Sequence, residues 1–393
     1  MAHIEDRWKH GNDRNRLRWR ARYTGPDGHE HARSFPKKTD ARRWLDQQEA
    51  AKITRTWTDP ALGRIRFRAW YQEWWPTVTN LRVSTAARDA HYYRAYVLPR
   101  FGDVPLSAIT QREVRQWIVE LTATGLEPAT VHKAYQVFSK ALRAAVDAEL
   151  LAQTPCRKVT LPKIEQNEMR FLTPEEIGRL AARIDQRYRV LVLVGAYGGL
   201  RFGELAGLCW RHVDLAVGTV EVAEIVVEVE GRLYVGSPKT RSSRRRVSLP
   251  TFVAAELTRH AVATADRDAS PAPDPDGRVF RAPRGGLLRI NGFRRRVWSK
   301  ATTAAGLDGL RIHDLRHTAV ALWIAAGANP KLVAARAGHT SVSFTLDRYG
   351  HLFPDADERL RYQLDQFIRN ARRKPTAPTR PRRRKGTHGG TVA

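Results

Sequence analysis

Apolar residues recur at helical spacing between residues 64 and 152. Their period of three to four residues predicts a bundle of about four helices. Ser84 would cap one of these helices at its start, Gly125 would end another, and Pro128 would open the last of them. Arginine, lysine and histidine lie on the polar faces, and the cluster of aromatic residues in FRAWYQEWWPTV is interpreted as core.

Two other regions alternate apolar and polar residues, as strands do. RLRWRARYTGPDGHEHARSF contains a Gly-Pro-Asp-Gly turn and predicts a β-hairpin, followed by a helix capped by Thr39 or Asp40. GTVEVAEIVVEVEGRLYVGSPKTRSSRRRVSLP predicts further strands, with one turn at Glu230-Gly231 and another between Ser237 and Ser243.

These patterns divide the chain into three folded domains and a tail. A charged, proline-containing stretch without periodicity precedes LTPEEIGRL, where Thr173, Pro174 and Glu176 form a strong helix start. The fold class is mainly α with small β-sheets, an α+β protein. The predicted domains are 1–57, 62–158 and 168–373, and a Pro-, Arg- and Gly-rich tail at 374–393 should be disordered.

The charge of the chain indicates what kind of partner the protein binds. Lys and Arg number 68 against 40 Asp and Glu, which gives a net charge of +28. Such a surface repels itself unless a polyanion binds it, so nucleic acid is the leading partner and an anionic membrane face the second. Two separate cysteines, Cys156 and Cys209, argue against a disulfide framework or a zinc ribbon.

No segment suggests export or membrane insertion. The start, MAHIEDRWKHGNDRNR, is too polar for a signal peptide, and the apolar run VLVLVGAYGGL is too short to span a bilayer. We therefore expect a soluble protein of the cytoplasm.

The candidate chemistry lies in the third predicted domain. HDLRHT places two histidines four residues apart, on one helix face, with an arginine between them. Three other stretches place arginine, lysine, histidine or tyrosine next to predicted turns: GAYGGLRFGEL, GSPKTRSSRRR and ARAGHTSVSFTLDRYGHL. The candidate set is Arg201, Lys239, His313, Arg316, His339 and Tyr349.

This mixture suits phosphoryl transfer. There is no carboxylate cluster to hold Mg²⁺ and no GxxxxGK[ST] loop to hold ATP. Arginines and histidines can donate hydrogen bonds to several oxygens of one phosphate, where charge grows in the transition state. A tyrosine can act as the nucleophile, and a lysine can protonate the departing alkoxide.

The combination of GLRxGEL, HDLRHT and GHTSVSxTxDRYGH resembles the tyrosine recombinase, or phage integrase, family. That family carries Arg, Lys, His-x-x-Arg, His/Trp and Tyr in this chain order. Phe202 stands where the family more often has Ile after the first Arg, a change in packing only. The resemblance extends to the other domains, as a helical core-binding domain and a small arm-binding domain with a three-stranded sheet and a helix.

The resemblance implies a role for each candidate residue. Two arginines would clamp the scissile phosphate, and the histidine near the second of them would hold a phosphate oxygen and assist proton transfer at the nucleophile. Glu204 would support and orient the site. Arg201 and Arg316 would form the clamp, and His313 would be the histidine beside it. His339 would donate a further hydrogen bond to the phosphate, Lys239 would be the general acid, and Tyr349 would be the nucleophile that forms a 3′-phosphotyrosyl link.

It also implies the partners of the reaction. The substrate would be double-stranded DNA with core and arm attachment sites, cut by a homotetramer without cofactor, metal or ATP. An excisionase or a host DNA-bending protein is a candidate helper, and no membrane is involved. The reaction would integrate or excise a phage or another mobile element.

Alternatives remain open at this stage. Lys239 stands in a basic run, so Arg241 or a neighbour could be the acid instead. Tyr362 is a rival nucleophile, and His317 is interpreted as a structural histidine. For the whole protein, a DNA-binding relative without activity is the second hypothesis. A zinc hydrolase using His313 and His317 is the third, weakened by Asp314 in place of Glu and by the lack of a third ligand.

Overall fold

The computed structural model describes residues 2–8, 17–54, 57, 59, 61–165, 169–238, 240–353 and 356–372. It divides into two compact units, Met1–Glu168 with Val229–Arg232, and Met169–Glu228 with Leu233–Ala393. The predicted fold class, mainly α with small β-sheets, is confirmed. The division of the first unit at residues 57–62 stays a prediction.

The first unit begins with an antiparallel three-stranded sheet and one helix, as the family resemblance implies. Ala21 and Tyr23 of the central strand pack with Ala41 and Leu45 of the helix to form a small core. The helix begins at Lys38, after Lys37 at the N-cap position and without a side-chain cap, so the predicted cap at Thr39 or Asp40 is wrong by two or three residues. The elements are β1 His3–Asp6, β2 Trp19–Thr24, β3 Glu30–Phe35 and α1 Lys38–Ile53.

The rest of the first unit is the predicted helical bundle. The aromatic cluster of FRAWYQEWWPTV contributes to its core, as expected: Phe67 and Trp70 are buried, and Phe67 packs against the ring of Phe138. Gly125 follows its helix with φ of 78°, but Ser84 lies inside the first turn instead of capping it. The helices are α2 Phe67–Trp74, α3 Val83–Tyr92, α4 Leu98–Phe101, α5 Gln111–Ala123 and α6 Pro128–Asp147.

The second unit is built around helix α8, Arg189–Gly198, which is almost entirely buried, and helix α13, Asp314–Ala325, which packs along it. The predicted start of α7 is confirmed by a capping box in which Thr173 and Glu176 bond reciprocally. Its helices are α7 Pro174–Arg183, α8 Arg189–Gly198, α9 Phe202–Gly207, α10 Thr251–Arg267, α11 Ile290–Phe293, α12 Ser299–Ala304, α13 Asp314–Ala325, α14 Pro330–Ala337, α15 Val342–Tyr349 and α16 Ala356–Arg372.

Two small sheets occupy the predicted β-rich region. Glu230 and Gly231 form the predicted turn, with φ of 47° and 76°. The strands are β4 Val213–Asp214, β5 Thr219–Val222 and β8 Arg245–Ser248 in one sheet, and β6 Ile225–Val229 and β7 Arg232–Gly236 in the other.

Two predictions fall outside the described residues: the placement of Lys239 and the disorder of the tail 374–393. Within the described part of the chain, no helix is both long enough and apolar enough to cross a membrane.

A buried ion pair joins β8 to α9. The Arg245 guanidinium donates to both carboxylate oxygens of Glu204, at 3.2 and 2.9 Å, and the two side chains are 6% and 4% exposed. Burial opposes the ionisation of Glu204, but the hydrogen bond and charge of Arg245, helped by Arg201, outweigh it and hold the carboxyl pKa below its usual range.

Replacing Arg245 with methionine should destabilise the second unit by about 3–5 kcal/mol, because Glu204 is left as a buried charge without its main partner. The loss should be largest above about pH 4.3, where Glu204 is ionised in the unfolded chain, and should shrink as the pH falls and the carboxyl takes up a proton. Urea titration followed by hydrogen-exchange mass spectrometry would report on the two units separately.

Arg246→Met is the matched control, because Arg246 follows on the same strand but points to solvent. It should change stability by no more than about 0.5 kcal/mol. The double variant Glu204→Gln/Arg245→Met should be less destabilised than Arg245→Met alone. Equal losses for Arg245→Met and Arg246→Met would contradict the importance of the pair.

Candidate active site

The first catalytic candidate, Arg201, lies where α8 turns into α9. Gly199 ends α8 with φ of 68°, and a Cβ there would lie 2.6 Å from the ring of Trp323, so only glycine fits. Glu204, one turn into α9, accepts the backbone N–H of Arg201 at 2.9 Å and its guanidinium at 2.8 Å. Glu204 therefore holds Arg201 in position, and it is itself held by Arg245.

Arg316 is buried on α13, with 3% of its surface exposed. Its guanidinium donates to the carbonyl of Gly199 at 2.7 Å and to that of Ala337. Burial, together with the positive charges of Arg201 and Arg245, lowers the pKa of Arg316 to about 9. Because burial and neighbouring charges disfavour the charged form of this guanidinium, an anion bound beside it would be strongly stabilised.

His313 and His317 stand at the start of α13 and one turn later. Their rings meet edge to face with centroids 4.8 Å apart. Burial lowers the pKa of each to about 4, and nearby positive charges, including Arg316 for His313 and Arg348 for His317, act in the same direction. Both imidazoles are therefore neutral near pH 7.

His339 follows α14 across Gly338, which adopts the left-handed conformation with φ of 63°. Its Nδ1 lies 2.8 Å from the hydroxyl of Thr345, which fixes the ring. The ring stacks parallel to that of Tyr349 with centroids 6.4 Å apart. Burial, followed by the charges of Arg316 and Arg201, lowers the pKa of His339 to about 4.

Tyr349 is the last residue of α15 and is 2% exposed. Its hydroxyl lies 2.6 Å from Nδ1 of His317. Burial raises the pKa of the phenol, while the charges of Arg316, Arg348 and Arg201 oppose that rise. The phenol is therefore protonated at rest but stands in a field that favours its anion.

A cleft of about 440 Å³ opens beside these residues. Arg201, Glu204 and His339 line it together with Pro238 and Thr240, the two neighbours of position 239. Lys239 itself lies outside the described residues. Arg201 and His339 therefore offer hydrogen-bond donors to an anionic group that enters the cleft.

Five of the six predicted residues thus gather in one site, and two further residues were not anticipated there. Arg245 gave no signal in the sequence, because it is one arginine in a basic run. His317, interpreted as structural, contacts the hydroxyl of Tyr349. Its signal was present in the spacing of HDLRHT, which places it on the same face as His313.

The structure weakens two alternatives that the sequence left open, Tyr362 as the nucleophile and a zinc site on α13. Tyr362 is 62% exposed on α16 and bonds to Gln366 within the same helix. Among the described residues, the side chains placed to share a metal ion are Asp27, His31 and Asp59, and neither His313 nor His317 belongs to such a group. Within the described part of the chain, His313 and His317 therefore have no third ligand with which to hold zinc.

Three family descriptions match consecutive parts of the chain. "Phage integrase, N-terminal domain" matches residues 17–55, "Phage integrase, N-terminal SAM-like domain" matches 66–122, and "Phage integrase family" matches 170–355. The last range contains all six predicted site residues.

Individual relatives match over most of their length. The integrase of Mycobacterium phage D29 is 29% identical over 354 residues, which covers 88% of this chain and 91% of the relative. The Tn1549 transposon integrase, solved in complex with circular intermediate DNA, superposes with a TM-score of 0.62 at 19% identity, over 77% of this chain and 100% of that chain.

Lambda integrase, solved as a dimer bound to a COC′ core site, superposes with a TM-score of 0.56 at 16% identity, over 86% of this chain and 94% of that chain. The two structures show a shared fold, and the family descriptions follow one another along the chain in the order of its predicted domains. The chain belongs to the phage integrase family of tyrosine recombinases.

Proposed function

We propose that the protein is a site-specific DNA recombinase that cuts and rejoins DNA through a covalent 3′-phosphotyrosyl intermediate. The observation that supports this most directly is the setting of Tyr349, a buried phenol on which the positive charges of Arg316, Arg348 and Arg201 act, Arg201 also lining the cleft. An oxygen nucleophile in such a setting is suited to attack a phosphodiester.

The scissile phosphate would be bound by donors that the fold already holds in place. Arg201 and Arg316 would clamp its non-bridging oxygens, because guanidinium groups match phosphate geometry. His339 would donate from its Nε2, since its Nδ1 is engaged by Thr345. His313 would hold a further phosphate oxygen.

The strand exchange itself would be isoenergetic. The oxygen of Tyr349 attacks phosphorus, the bond to the 5′-oxygen breaks, and the departing oxygen takes a proton from Lys239. The tyrosyl ester stores the phosphodiester energy, so the 5′-hydroxyl of a partner strand can reverse the step without ATP. Fixed cations supply the charge stabilisation that Mg²⁺ supplies in other phosphoryl-transfer enzymes.

The partners follow from the same chemistry. Exchange between two duplexes requires four strand cuts, and one tyrosine per protomer makes a homotetramer the natural assembly on DNA. The helical domain would bind the core site, and the N-terminal sheet unit would bind arm sites. We place the reaction on DNA in the cytoplasm, where an integrating or excising mobile element would be found, with an excisionase or DNA-bending protein as a helper.

A DNA-binding relative without activity is the second candidate. It is disfavoured because a protein that only binds DNA has no need for a buried tyrosine hydroxyl bonded to a neutral histidine. The arrangement of Arg201, Arg316 and His339 around that hydroxyl would also be unnecessary.

Replacing Tyr349 with phenylalanine should abolish cleavage while leaving affinity for a core site within a few-fold. The substitution removes one oxygen and keeps the buried ring that packs under α13. The measurement is the yield of covalent protein–DNA adduct on a nicked duplex that traps the intermediate, beside a binding titration on the same DNA.

Tyr362→Phe is the matched control, because it makes the same chemical change on an exposed helix face. This variant should form adduct at the wild-type rate. An adduct formed by Tyr349→Phe would overturn the assignment, and loss of adduct in Tyr362→Phe alone would identify the rival nucleophile.

Replacing Lys239 with alanine should slow cleavage of ordinary DNA by about 10²–10⁴-fold, the usual contribution of a general acid. DNA in which sulfur replaces the bridging 5′-oxygen should largely restore the rate, because a thiolate leaves without a proton. Single-turnover cleavage of the two substrates gives the comparison. Arg241→Ala, tested in parallel, is expected to show no such difference; an equal defect of Lys239→Ala on both substrates would move the role elsewhere.

A further inference from the structure

The shortest side-chain contact of the candidate nucleophile is with His317. The Tyr349 hydroxyl and Nδ1 of His317 lie 2.6 Å apart, and the two residues are 2% and 4% exposed. No residue of the family signature is involved in this bond apart from the tyrosine itself. The bond places a titratable side chain against the oxygen that must lose its proton.

The direction of this hydrogen bond is set by the tautomer of His317. Burial and neighbouring positive charges keep His317 neutral, with a pKa of about 4, and burial keeps the phenol of Tyr349 protonated. A neutral imidazole has one nitrogen that accepts. With the proton of His317 on Nε2, its Nδ1 accepts from the phenol, so the proton already points at a base.

The other two histidines are less well placed for this task. His313 meets the ring of His317 edge to face, at 4.8 Å between centroids, and its ring contact among the described residues is with His317 and not with Tyr349. His339 uses its Nδ1 on Thr345 and stacks on the face of the Tyr349 ring. Only His317 of the three is bonded to the phenol oxygen.

We propose that His317 is the base that takes the proton of Tyr349 during attack, a role that the family signature gives to no residue at its position. This inference rests on the proposed function. As the Tyr349 oxygen forms its bond to phosphorus, the O–H bond breaks and the proton passes to Nδ1 of His317, while the 5′-oxygen leaves with a proton from the general acid. The religation step returns both protons.

The charges around the site make this transfer depend on DNA. Without DNA, an imidazolium at position 317 would stand among positive groups, which disfavours it. A bound phosphate adds negative charge beside the same groups and offsets that cost. The base therefore becomes competent when the scissile phosphate is in place, and the phenol is kept from ionising in the free protein.

His317→Asn separates holding the hydroxyl from accepting its proton. The asparagine oxygen can occupy nearly the place of Nδ1 and accept the same hydrogen bond, but it cannot take up a proton. Single-turnover adduct formation on a nicked core-site duplex should fall by about 10²–10⁴-fold, the usual range for a general base, with core-site binding unchanged.

His260→Asn is the matched control. His260 is a buried histidine of α10, 8% exposed, whose Nε2 contacts the carbonyl of Val279 at 2.9 Å. The substitution removes a buried imidazole at a place outside the candidate site, so it reports the effect of folding alone. His260→Asn should form adduct at the wild-type rate once the variant is folded.

Two further measurements distinguish a base from a merely structural residue. DNA with a bridging 5′-sulfur should rescue Lys239→Ala but leave the defect of His317→Asn in place, because the attack still lacks its base. Fluorotyrosine at position 349, whose phenol is more acidic, should restore much of the lost rate in His317→Asn.

Each outcome decides the question. Adduct formation by His317→Asn at the wild-type rate would refute the proposal, and a faster rate would show that the bond restrains the tyrosine instead. Rescue of His317→Asn by the sulfur substrate would also refute it. Wild-type protein without any Tyr349 adduct would instead refute the proposed function, which keeps the two failures apart.

Discussion

The gathering of several positive charges in a space with little water is the constraint on which the second unit depends. Burial, together with the positive charges of Arg201 and Arg245, lowers the pKa of Arg316 to about 9. One carboxylate, Glu204, offsets this charge, and it does so with both oxygens. Three arginines and one carboxylate leave the cluster with an excess of positive charge, which a bound phosphate would offset.

Separate helices and strands hold the arginines of this cluster in place. Arg316 is held by backbone carbonyls at the end of α8 and the end of α14, which are fixed dipoles that need no reorganisation. Arg245 donates to the carbonyl of Arg336 at 2.6 Å, so β8 is tied to the helix that precedes His339. The positions of Arg245 and Arg316 are therefore set by contacts within the protein itself.

A feature of the fold or of the site could be predicted from the sequence where its signal is local in the chain, and could not where it depends on a distant contact. Helix starts with side-chain caps, such as Thr173 with Glu176, could be predicted because the signal is local. The Lys38 start of α1 could not, because no side chain caps it. Five members of the candidate site were predictable from an ordered motif. Arg245 was not, because its meaning lies in a contact with a residue 41 positions away in the chain.

His317 shows the limit most clearly, since its spacing was visible and its role was not. A histidine one turn after another can be a metal ligand, a structural residue or a base, and only the position of its partner separates these. Here the partner is a buried phenol from a helix 32 residues further along the chain. Burial acts on both groups of this pair: it raises the pKa of the phenol, and it lowers that of the imidazole to about 4, so that the imidazole stays neutral even in mildly acidic solution. The low exposure of Tyr349 is therefore part of its chemistry and not only of its packing.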